Sequence, residues 1–199
     1  MKRVRCFWYN FLRVIGTPIF KAYFNVKVIN KKVIPKEGPV IFCGNHLNFL
    51  DQFPVIISTS RTIHWLSKKE YFEGKWKNFF KAVGCIRVDR NSHDGKAKKE
   101  ALEYLKAGSS IGIFPEGTRN RTDKELLEFK KGAVKLSKEA NALLVPFAIN
   151  GKFKFNSKDL VLRFGEPFVV GKDDDIDDAN EKLRNEILRL QRLNLKVRK

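Results

Sequence analysis

Short apolar runs that alternate with amphipathic stretches constrain the fold of this chain more than any other feature. Such runs predict buried strands, and apolar residues at helical spacing between them predict helices. Their alternation favours an α/β fold, with a central mixed, largely parallel sheet flanked by helices. The predicted strands cover residues 25–29, 40–43, 63–66, 84–88, 111–114, 144–149 and 160–164.

Three helices are predicted after the fourth strand. The first covers Lys96–Lys106 and ends before Gly108, since glycine is a common helix stop signal. The second covers residues 125–140. The third covers about residues 179–195, behind an acidic run at residues 173–178 that favours a helix N-terminus through the helix dipole. The 199 residues suffice for one α/β domain with a small extension.

The first 24 residues are predicted to be amphipathic helical segments that dock on a membrane. Bulky aromatics on one helix face, with cations off that face, suit the membrane interface. Gly16-Thr17-Pro18 is expected to interrupt the first helix, and residues 19–24 to form a second short apolar turn. The apolar face of residues 1–15 consists of Val4, Phe7, Trp8, Phe11, Leu12 and Ile15.

Two kinds of segment are not expected at this terminus. Arg13 and Lys21 break what would otherwise be a spanning apolar run, so a transmembrane helix is not predicted. A small-residue cleavage site is lacking, so a secretory signal is not predicted either. We therefore divide the chain into an interfacial segment, residues 1–24, and an α/β domain, residues 25–199. The alternative is a terminal helix that packs its apolar face on the domain.

The charge of the chain favours a polyanionic partner. Its 40 lysine and arginine residues against 22 aspartate and glutamate residues give a net charge of +18. Nucleic acid, an anionic membrane surface and phosphorylated substrates all fit such an excess. The 17 phenylalanines favour lipid. RNA-binding sequence signatures with paired aromatics are lacking, so no nucleic-acid partner is expected.

Cysteine usage argues against a metal site and leaves one catalytic alternative open. Cys6, Cys43 and Cys85 are scattered, with no CxxC or paired Cys/His spacing, so no zinc site is expected. Free thiols in strand-like runs indicate a reducing, intracellular setting. Cys43 lies close to His46 in the sequence, so a cysteine nucleophile activated by this histidine stays open.

A histidine and an aspartate five residues apart follow the strand predicted at residues 40–43. A histidine at a strand end, with a carboxylate in reach to fix its tautomer, is expected to act as a general base. No serine or cysteine stands at a nucleophile-elbow spacing nearby, which points to a hydroxyl on the substrate. The alternative is a histidine bonded in a turn, with the aspartate as a helix cap. The segment is Asn45-His46-Leu47-Asn48-Phe49-Leu50-Asp51.

Basic residues follow three further predicted strands. Lys68 and Arg90 each come after one, and the strand at residues 111–114 leads into Pro115-Glu116-Gly117-Thr118-Arg119. Ligands in open α/β sheets bind beyond the carboxyl ends of the strands, and arginine there suits a phosphate. Glu116 is placed to hold Arg119 or to meet a substrate hydroxyl. The alternative is a surface turn with solvated arginines.

His64 and His93 have no carboxylate at a comparable spacing and are expected to be structural or surface residues.

Taken in order, these segments resemble the glycerolipid acyltransferase family, and within it the bacterial-type 1-acyl-sn-glycerol-3-phosphate acyltransferases. The matching pieces span about residues 40–150. One departure is visible: family members often have a proline and a glycine between the lysine and Arg90, whereas residues 73–76 here are Glu-Gly-Lys-Trp. The pieces are Asn45-His46 with Asp51, which form the HX4D motif, Lys68 with Gly84 to Arg90, Phe114 to Arg119, and Val145-Pro146.

The resemblance implies a reaction and a set of site residues. An acyl group would pass from a thioester, on coenzyme A or acyl carrier protein, to the 2-hydroxyl of a lysophosphatidic acid, giving phosphatidic acid for phospholipid biosynthesis. His46 would take the hydroxyl proton and Asp51 would orient the imidazole, as in a serine-hydrolase triad with the substrate alcohol in place of serine. The implied phosphate-binding residues are Lys68, Arg90, Glu116, Gly117, Thr118 and Arg119.

The resemblance also implies partners and a location. No metal or cofactor is implied, since a thioester is already activated. The enzyme would sit on anionic lipid at the cytoplasmic face of the cell membrane, as a peripheral or monotopic protein. Three other interpretations stay open: another lysolipid or glycerol 3-phosphate as acceptor, a Cys43-dependent thioesterase or hydrolase, and an anionic-lipid-binding protein without catalysis.

Overall fold

The structure, a computed structural model, describes residues 7–90 and 95–197. The predictions for Val4, Cys6 and His93 fall outside the described residues. The strands are β1 Lys27–Ile29, β2 Val40–Gly44, β3 Ile63–Lys68, β4 Ile86–Val88, β5 Ser110–Ile113, β6 Leu143–Asn150 and β7 Val161–Phe164. The helices are α1 Phe7–Tyr23, α2 Gln52–Ile56, α3 Lys77–Ala82, α4 Lys96–Lys106, α5 Gly132–Ala140 and α6 Ile176–Val197.

All seven strands join one sheet in the order β1-β7-β6-β2-β5-β3-β4. Neighbouring strands are parallel except for the antiparallel pair β6 and β7. The α/β fold with a mixed, largely parallel sheet is therefore confirmed, and each predicted strand overlaps an observed one. These strands can be predicted from continuous apolar runs, because the central strands of a sheet that helices cover on both faces carry apolar side chains on both sides.

Helices cover both faces of this sheet. Side chains alternate along β2, so Ile41 and Cys43 point to one face and Val40 and Phe42 to the other. The first face packs against α4, α5 and α6, whose buried side chains complete one core cluster. The second face packs against α1 and α2 through residues such as Tyr9. Helix α2, short as it is, thus lies in the layer that also holds the N-terminal helix.

The helix predicted over residues 125–140 begins only at Gly132. The N–H of Leu127 donates to the Glu116 carboxylate at 2.9 Å, and the N–H of Lys130 donates to the Pro115 carbonyl at 2.9 Å. These donors therefore bind the turn that follows β5 instead of a preceding helical turn. The helical spacing of Leu126 and Phe129 reflects their burial in the core, not helical backbone.

Helix α1 runs without a break through the residues that were expected to interrupt it. The Thr17 hydroxyl donates to the Arg13 carbonyl at 2.5 Å, just before Pro18. Beyond the proline, the ring of Phe20 lies 5.8 Å from that of Phe53. Such contacts offset the single helix hydrogen bond that an internal proline removes. The predicted interruption was wrong.

Most apolar side chains of α1 face solvent. The helix is held by the burial of Tyr9 and by the Arg13 guanidinium, which donates to the carbonyls of Thr59 at 3.1 Å and Arg61 at 3.3 Å. Its apolar face is not packed on the domain, which argues against a purely structural terminal helix. Among the described residues, no helix combines the length and apolarity needed to cross a membrane. The exposed apolar residues of α1 are Phe7, Trp8, Phe11, Leu12, Val14, Ile15, Ile19 and Tyr23.

Candidate active site

Four adjacent parallel strands bring the predicted site segments to one edge of the sheet. Strands β2, β5, β3 and β4 lie side by side. Their carboxyl ends lead, in that order, to His46, to the turn after Phe114, to Lys68 and to Arg90. Residues far apart in the chain therefore meet at the edge where open α/β sheets bind ligands.

His46 and Asp51 are in contact. Nδ1 of His46 lies 3.0 Å from Oδ2 of Asp51, and the same oxygen accepts the N–H groups of Leu47 and Asn48 at 2.6 Å each. The His46 side chain is 18% exposed and that of Asp51 1%. A hydrogen bond to the carboxylate places the imidazole proton on Nδ1 and leaves the lone pair on Nε2. This arrangement can accept a proton from a bound hydroxyl.

Asp51 immediately precedes α2 but does not cap it. No side-chain cap bond runs from Asp51 to the first turn of that helix. Its carboxylate is directed back to the preceding loop, where it binds His46, Leu47 and Asn48. The helix-cap alternative therefore does not describe this residue.

The ring of His46 lies on a stack of aromatic rings. It stacks on Phe114 with centroids 3.9 Å apart and planes 9° apart, and Phe114 stacks on Trp65 at 5.0 Å. Gly112 of β5 faces Trp65 of β3 in the sheet register, and a Cβ on this glycine would come within 2.4 Å of the indole. A glycine is therefore required there for the indole to support Phe114 and, through it, the imidazole.

Glu116 holds the loop that contains His46 in place. Oε1 accepts the His46 N–H at 2.8 Å, and Oε2 accepts the Leu127 N–H at 2.9 Å. The side chain is buried, and this burial raises the pKa of its carboxyl group, while the two backbone hydrogen bonds oppose the rise. Both oxygens are thus bound to the backbone, an arrangement that ties the turn after β5 to the histidine.

Two buried asparagines, Asn45 and Asn120, anchor the same loop, and the sequence predicts this role for neither. The Asn45 amide donates to the Ile149 carbonyl and accepts the Ile149 N–H, both at 2.8 Å, which joins the loop to β6. The Asn120 N–H donates to the His46 carbonyl at 2.7 Å. Asn45 belongs to the motif segment that contains His46, but nothing in the sequence points to its bonds with β6. Asn120 lies just past the Phe114–Arg119 segment and has no signal of its own.

Basic side chains surround the turn at Gly117. The Arg90 guanidinium donates to the Gly117 carbonyl, and the Lys130 side chain passes within 3.0 Å of the position that a Gly117 Cβ would occupy. Gly117 has a φ of +69°, which favours glycine. Lys68 and Thr118 are exposed, and Arg119 is half-buried. Lys130, which lies outside the family's motif segments, is thus a further cation near this turn.

Cys43 does not face the histidine. It packs in the cluster that contains α4, α5 and α6, whereas Phe114 and Trp65, the rings beneath His46, pack in the cluster on the other face. Complete burial raises the pKa of the Cys43 thiol far above its usual range. A buried thiol of this kind is a poor nucleophile, which argues against the cysteine-dependent hydrolase.

His64 is buried, as expected for a structural residue. Its Nδ1 lies 2.7 Å from the Gly84 carbonyl, and its ring stacks on Tyr104 of α4 at 3.6 Å. Burial lowers the pKa of this imidazole, in the direction of the neutral form. The stacking on Tyr104 joins α4 to β3.

Comparisons with known proteins agree with this site. A family model described as Acyltransferase matches residues 25–150. The 1-acyl-sn-glycerol-3-phosphate acyltransferase of Bacillus subtilis is 34% identical over 148 residues, covering 71% of this chain and 73% of that protein. The enzyme of the same name from Borreliella burgdorferi is 31% identical over 154 residues, covering 76% of this chain and 61% of that protein.

A solved structure has the same fold. The crystal structure of the 1-acyl-sn-glycerophosphate acyltransferase PlsC from Thermotoga maritima superposes with a TM-score of 0.73 at 20% identity, covering 96% of this chain and 79% of that one. The shared fold, the matched model and the Bacillus relative agree with the motif resemblance. The chain therefore belongs to the acyltransferase family.

Proposed function

We propose that this chain transfers an acyl group from a thioester to the 2-hydroxyl of 1-acyl-sn-glycerol 3-phosphate and so forms phosphatidic acid. The observation that carries the proposal is the contact between His46 and Asp51 at a sheet edge rich in cations. The names of the Bacillus and Borreliella relatives support this choice of acceptor and reaction.

The proton transfers follow from the tautomer of His46 that carries its proton on Nδ1. Nε2 of His46 accepts the proton as the lipid hydroxyl attacks the thioester carbonyl carbon, and Asp51 stabilises the resulting imidazolium. Collapse of the tetrahedral intermediate breaks the carbon–sulfur bond, and the departing thiolate takes the proton from His46. General-base assistance of this kind is worth about 10²–10⁴ in rate.

The acceptor's phosphate is assigned to the basic residues at the same edge. Lys68, Arg90 and Arg119 supply positive charge, and the exposed Thr118 hydroxyl supplies a donor. Gly117 leaves room for the side chains around it. We assign Glu116 to positioning, not to phosphate contact, because both its oxygens accept backbone N–H groups and its charge would repel a phosphate.

The membrane surface is assigned to α1. Its exposed aromatic and aliphatic side chains suit the interface of an anionic bilayer at the cytoplasmic face, where the acceptor lipid resides. The positive net charge of +18 favours such a surface and also an anionic acyl donor, either acyl-coenzyme A or acyl carrier protein. The protein would then act as a peripheral or monotopic enzyme.

His46→Ala tests the catalytic assignment. The variant should lose acyl transfer from acyl-coenzyme A to lysophosphatidic acid while its circular dichroism and melting temperature stay close to those of the unmodified protein. Near-normal transfer in a folded variant would contradict the mechanism. The same assay with a panel of lysolipids and glycerol 3-phosphate determines the acceptor, which decides between the proposed substrate and its alternatives.

A further inference from the structure

The segment between β3 and β4 exposes two large aromatic side chains. Trp76 is 65% exposed and Phe79 44%, and their rings lie 6.1 Å apart. Exposed aromatic groups of this size commonly mark a surface that contacts another molecule. Trp76 is the last of residues 73–76, where the chain departs from its family's pattern, and Phe79 follows three positions later.

A continuous row of rings joins this surface to the catalytic loop. Phe79 contacts Phe80 at 5.6 Å, Phe80 stacks on Tyr71 at 4.9 Å, and Tyr71 contacts Phe49 at 6.1 Å. Phe49 is 42% exposed and stands three residues after His46. We call these five residues, Phe49, Tyr71, Trp76, Phe79 and Phe80, the aromatic row.

The N-terminal helix contacts the same loop region from another element. Phe20 of α1 packs 5.8 Å from Phe53, two residues after Asp51. The loop from His46 to Asp51 therefore contributes Phe49 to the aromatic row, and the helix that follows this loop contacts α1 through Phe53.

The charge around the aromatic row complements an anionic surface. Lys75, Lys77 and Lys81 are exposed and lie within two positions of Trp76 or Phe79 in the sequence. Nearby carboxylates are Glu70, which is exposed, and Glu73, which pairs with Arg87 at 2.9 Å. An indole among lysine side chains suits the lipid–water interface, where the ring enters the headgroup layer and the ammonium groups meet lipid phosphates.

We propose that the aromatic row and its three lysines form a second bilayer-contact surface, so that anionic lipid meets the catalytic loop from the β3–β4 side as well as from α1. This inference rests on the proposed function, since an enzyme that acts on a bilayer lipid must draw its acceptor from that surface. The row would then place lipid beside Phe49, at the entrance to His46.

Tryptophan fluorescence tests the contact directly. In the Trp8→Phe variant only Trp65, which is buried, and Trp76 emit. Vesicles of brominated phosphatidylglycerol should quench this emission relative to unbrominated vesicles. The matched control, Trp8→Phe/Trp76→Phe, should keep its emission, since only Trp65 is left. Trp8→Phe protein that stays in the supernatant on sedimentation, or that binds without a difference in quenching, overturns the proposal.

Paired lysine variants test the charge. Lys75→Gln/Lys77→Gln should weaken binding to phosphatidylglycerol vesicles by about fivefold per charge removed. Lys99→Gln/Lys106→Gln removes the same charge from exposed positions of α4, which packs on the sheet face opposite to α1. The control pair should bind more tightly than the first pair. Equal affinities would overturn the charge assignment.

Activity measurements separate a lipid-contact surface from a docking surface for a protein donor. Trp76→Ala/Phe79→Ala should lower the ratio of acyl transfer on vesicles to acyl transfer on detergent-dispersed lysophosphatidic acid. Equal Trp76 emission of the Trp8→Phe variant on brominated and unbrominated vesicles, together with a loss of Trp76→Ala/Phe79→Ala activity confined to acyl carrier protein as donor, would assign the surface to a protein and overturn the proposal. The quenching assay needs no turnover, so a failure of the proposed acyl transfer would be seen separately, in the unmodified protein.

Discussion

Oδ2 of Asp51 lies 3.0 Å from Nδ1 of His46, although the two residues are five positions apart. In a regular helix this separation would place the side chains about 140° apart around the axis. The chain makes the contact by ending β2 at Gly44 and starting α2 only at Gln52. The intervening loop turns back, and the N–H groups of Leu47 and Asn48 bind the same carboxylate oxygen.

Asp51→Asn should lower kcat by about 10⁴, as the equivalent change does in serine-protease triads. The amide can still accept the backbone N–H groups, but it offers a donor toward Nδ1 and so favours the tautomer with a proton on Nε2. Steady-state kinetics with lysophosphatidic acid measure the effect. Asp123→Asn, at an exposed position, is the control and should leave kcat unchanged. A loss of less than about tenfold would show that Asp51 does not set the tautomer.

Glu116→Gln should lower kcat more than it changes KM. The amide has one acceptor oxygen for two backbone donors, the N–H groups of His46 and Leu127, so one of them is left facing an NH2 group. An unsatisfied buried donor costs about 1–3 kcal/mol, which thermal unfolding should report. Glu128→Gln is the control, because it removes the same charge from an exposed position next to Leu127. A rise in KM with an unchanged kcat would instead indicate direct substrate contact.

Cys43→Ala should retain the acyl-transfer rate per folded molecule. The thiol packs on the sheet face away from His46, so its removal leaves the catalytic groups in place and only opens a small space in the core. The expected cost is about 1 kcal/mol in the free energy of unfolding, measured by urea titration. A variant that is folded but inactive would support the cysteine-dependent hydrolase.

Trp8→Ser/Phe11→Ser should weaken binding to anionic vesicles by at least about tenfold, since each large apolar side chain contributes about 1.5–3 kcal/mol when fully buried. Substitution is cleaner than deletion of residues 1–15, because deletion would also remove the buried Tyr9 and the Arg13 bonds to the domain. Vesicle sedimentation gives the affinity. Leu195→Ser, an exposed apolar position on α6, is the control. Equal binding of all three proteins would contradict docking through α1.

Acid should destabilise the protein partly through His64. Burial lowers the pKa of the His64 imidazole in the folded state. Below about pH 6.5, therefore, this residue is protonated to a greater extent in the unfolded chain than in the folded one. Stability should therefore decrease as the pH falls through this range, by at most about 1.4 kcal/mol per pH unit from this group.

His64→Gln isolates that contribution. Glutamine can donate to the Gly84 carbonyl but does not titrate, so the variant should be less stable near neutral pH and should show a shallower acid dependence. Urea unfolding between about pH 5 and pH 7.5 measures both. The same slope in both proteins would show that another group controls the acid response.

Local patterns account for what was predictable in the fold. The run at β2 is apolar because a central strand covered on both faces needs apolar side chains, and α4 is recognisable from its spacing and from Gly108 after it. The prediction of a helix over residues 125–140 failed because the N–H groups of Leu127 and Lys130 bind Glu116 and Pro115, residues that precede them by more than ten positions. The break predicted in α1 failed because Phe20 packs on Phe53.

The α/β class, the acyltransferase motifs and the pairing of His46 with Asp51 were predictable from the sequence, because each of these depends on residue type and short spacing. How the segments meet is a property of the folded chain. Strand order places four carboxyl ends side by side, Phe114 at the end of β5 supports His46, and Glu116 binds the backbone of the histidine loop. Such contacts depend on how segments distant in the sequence pack together, and this packing cannot be inferred from any local pattern.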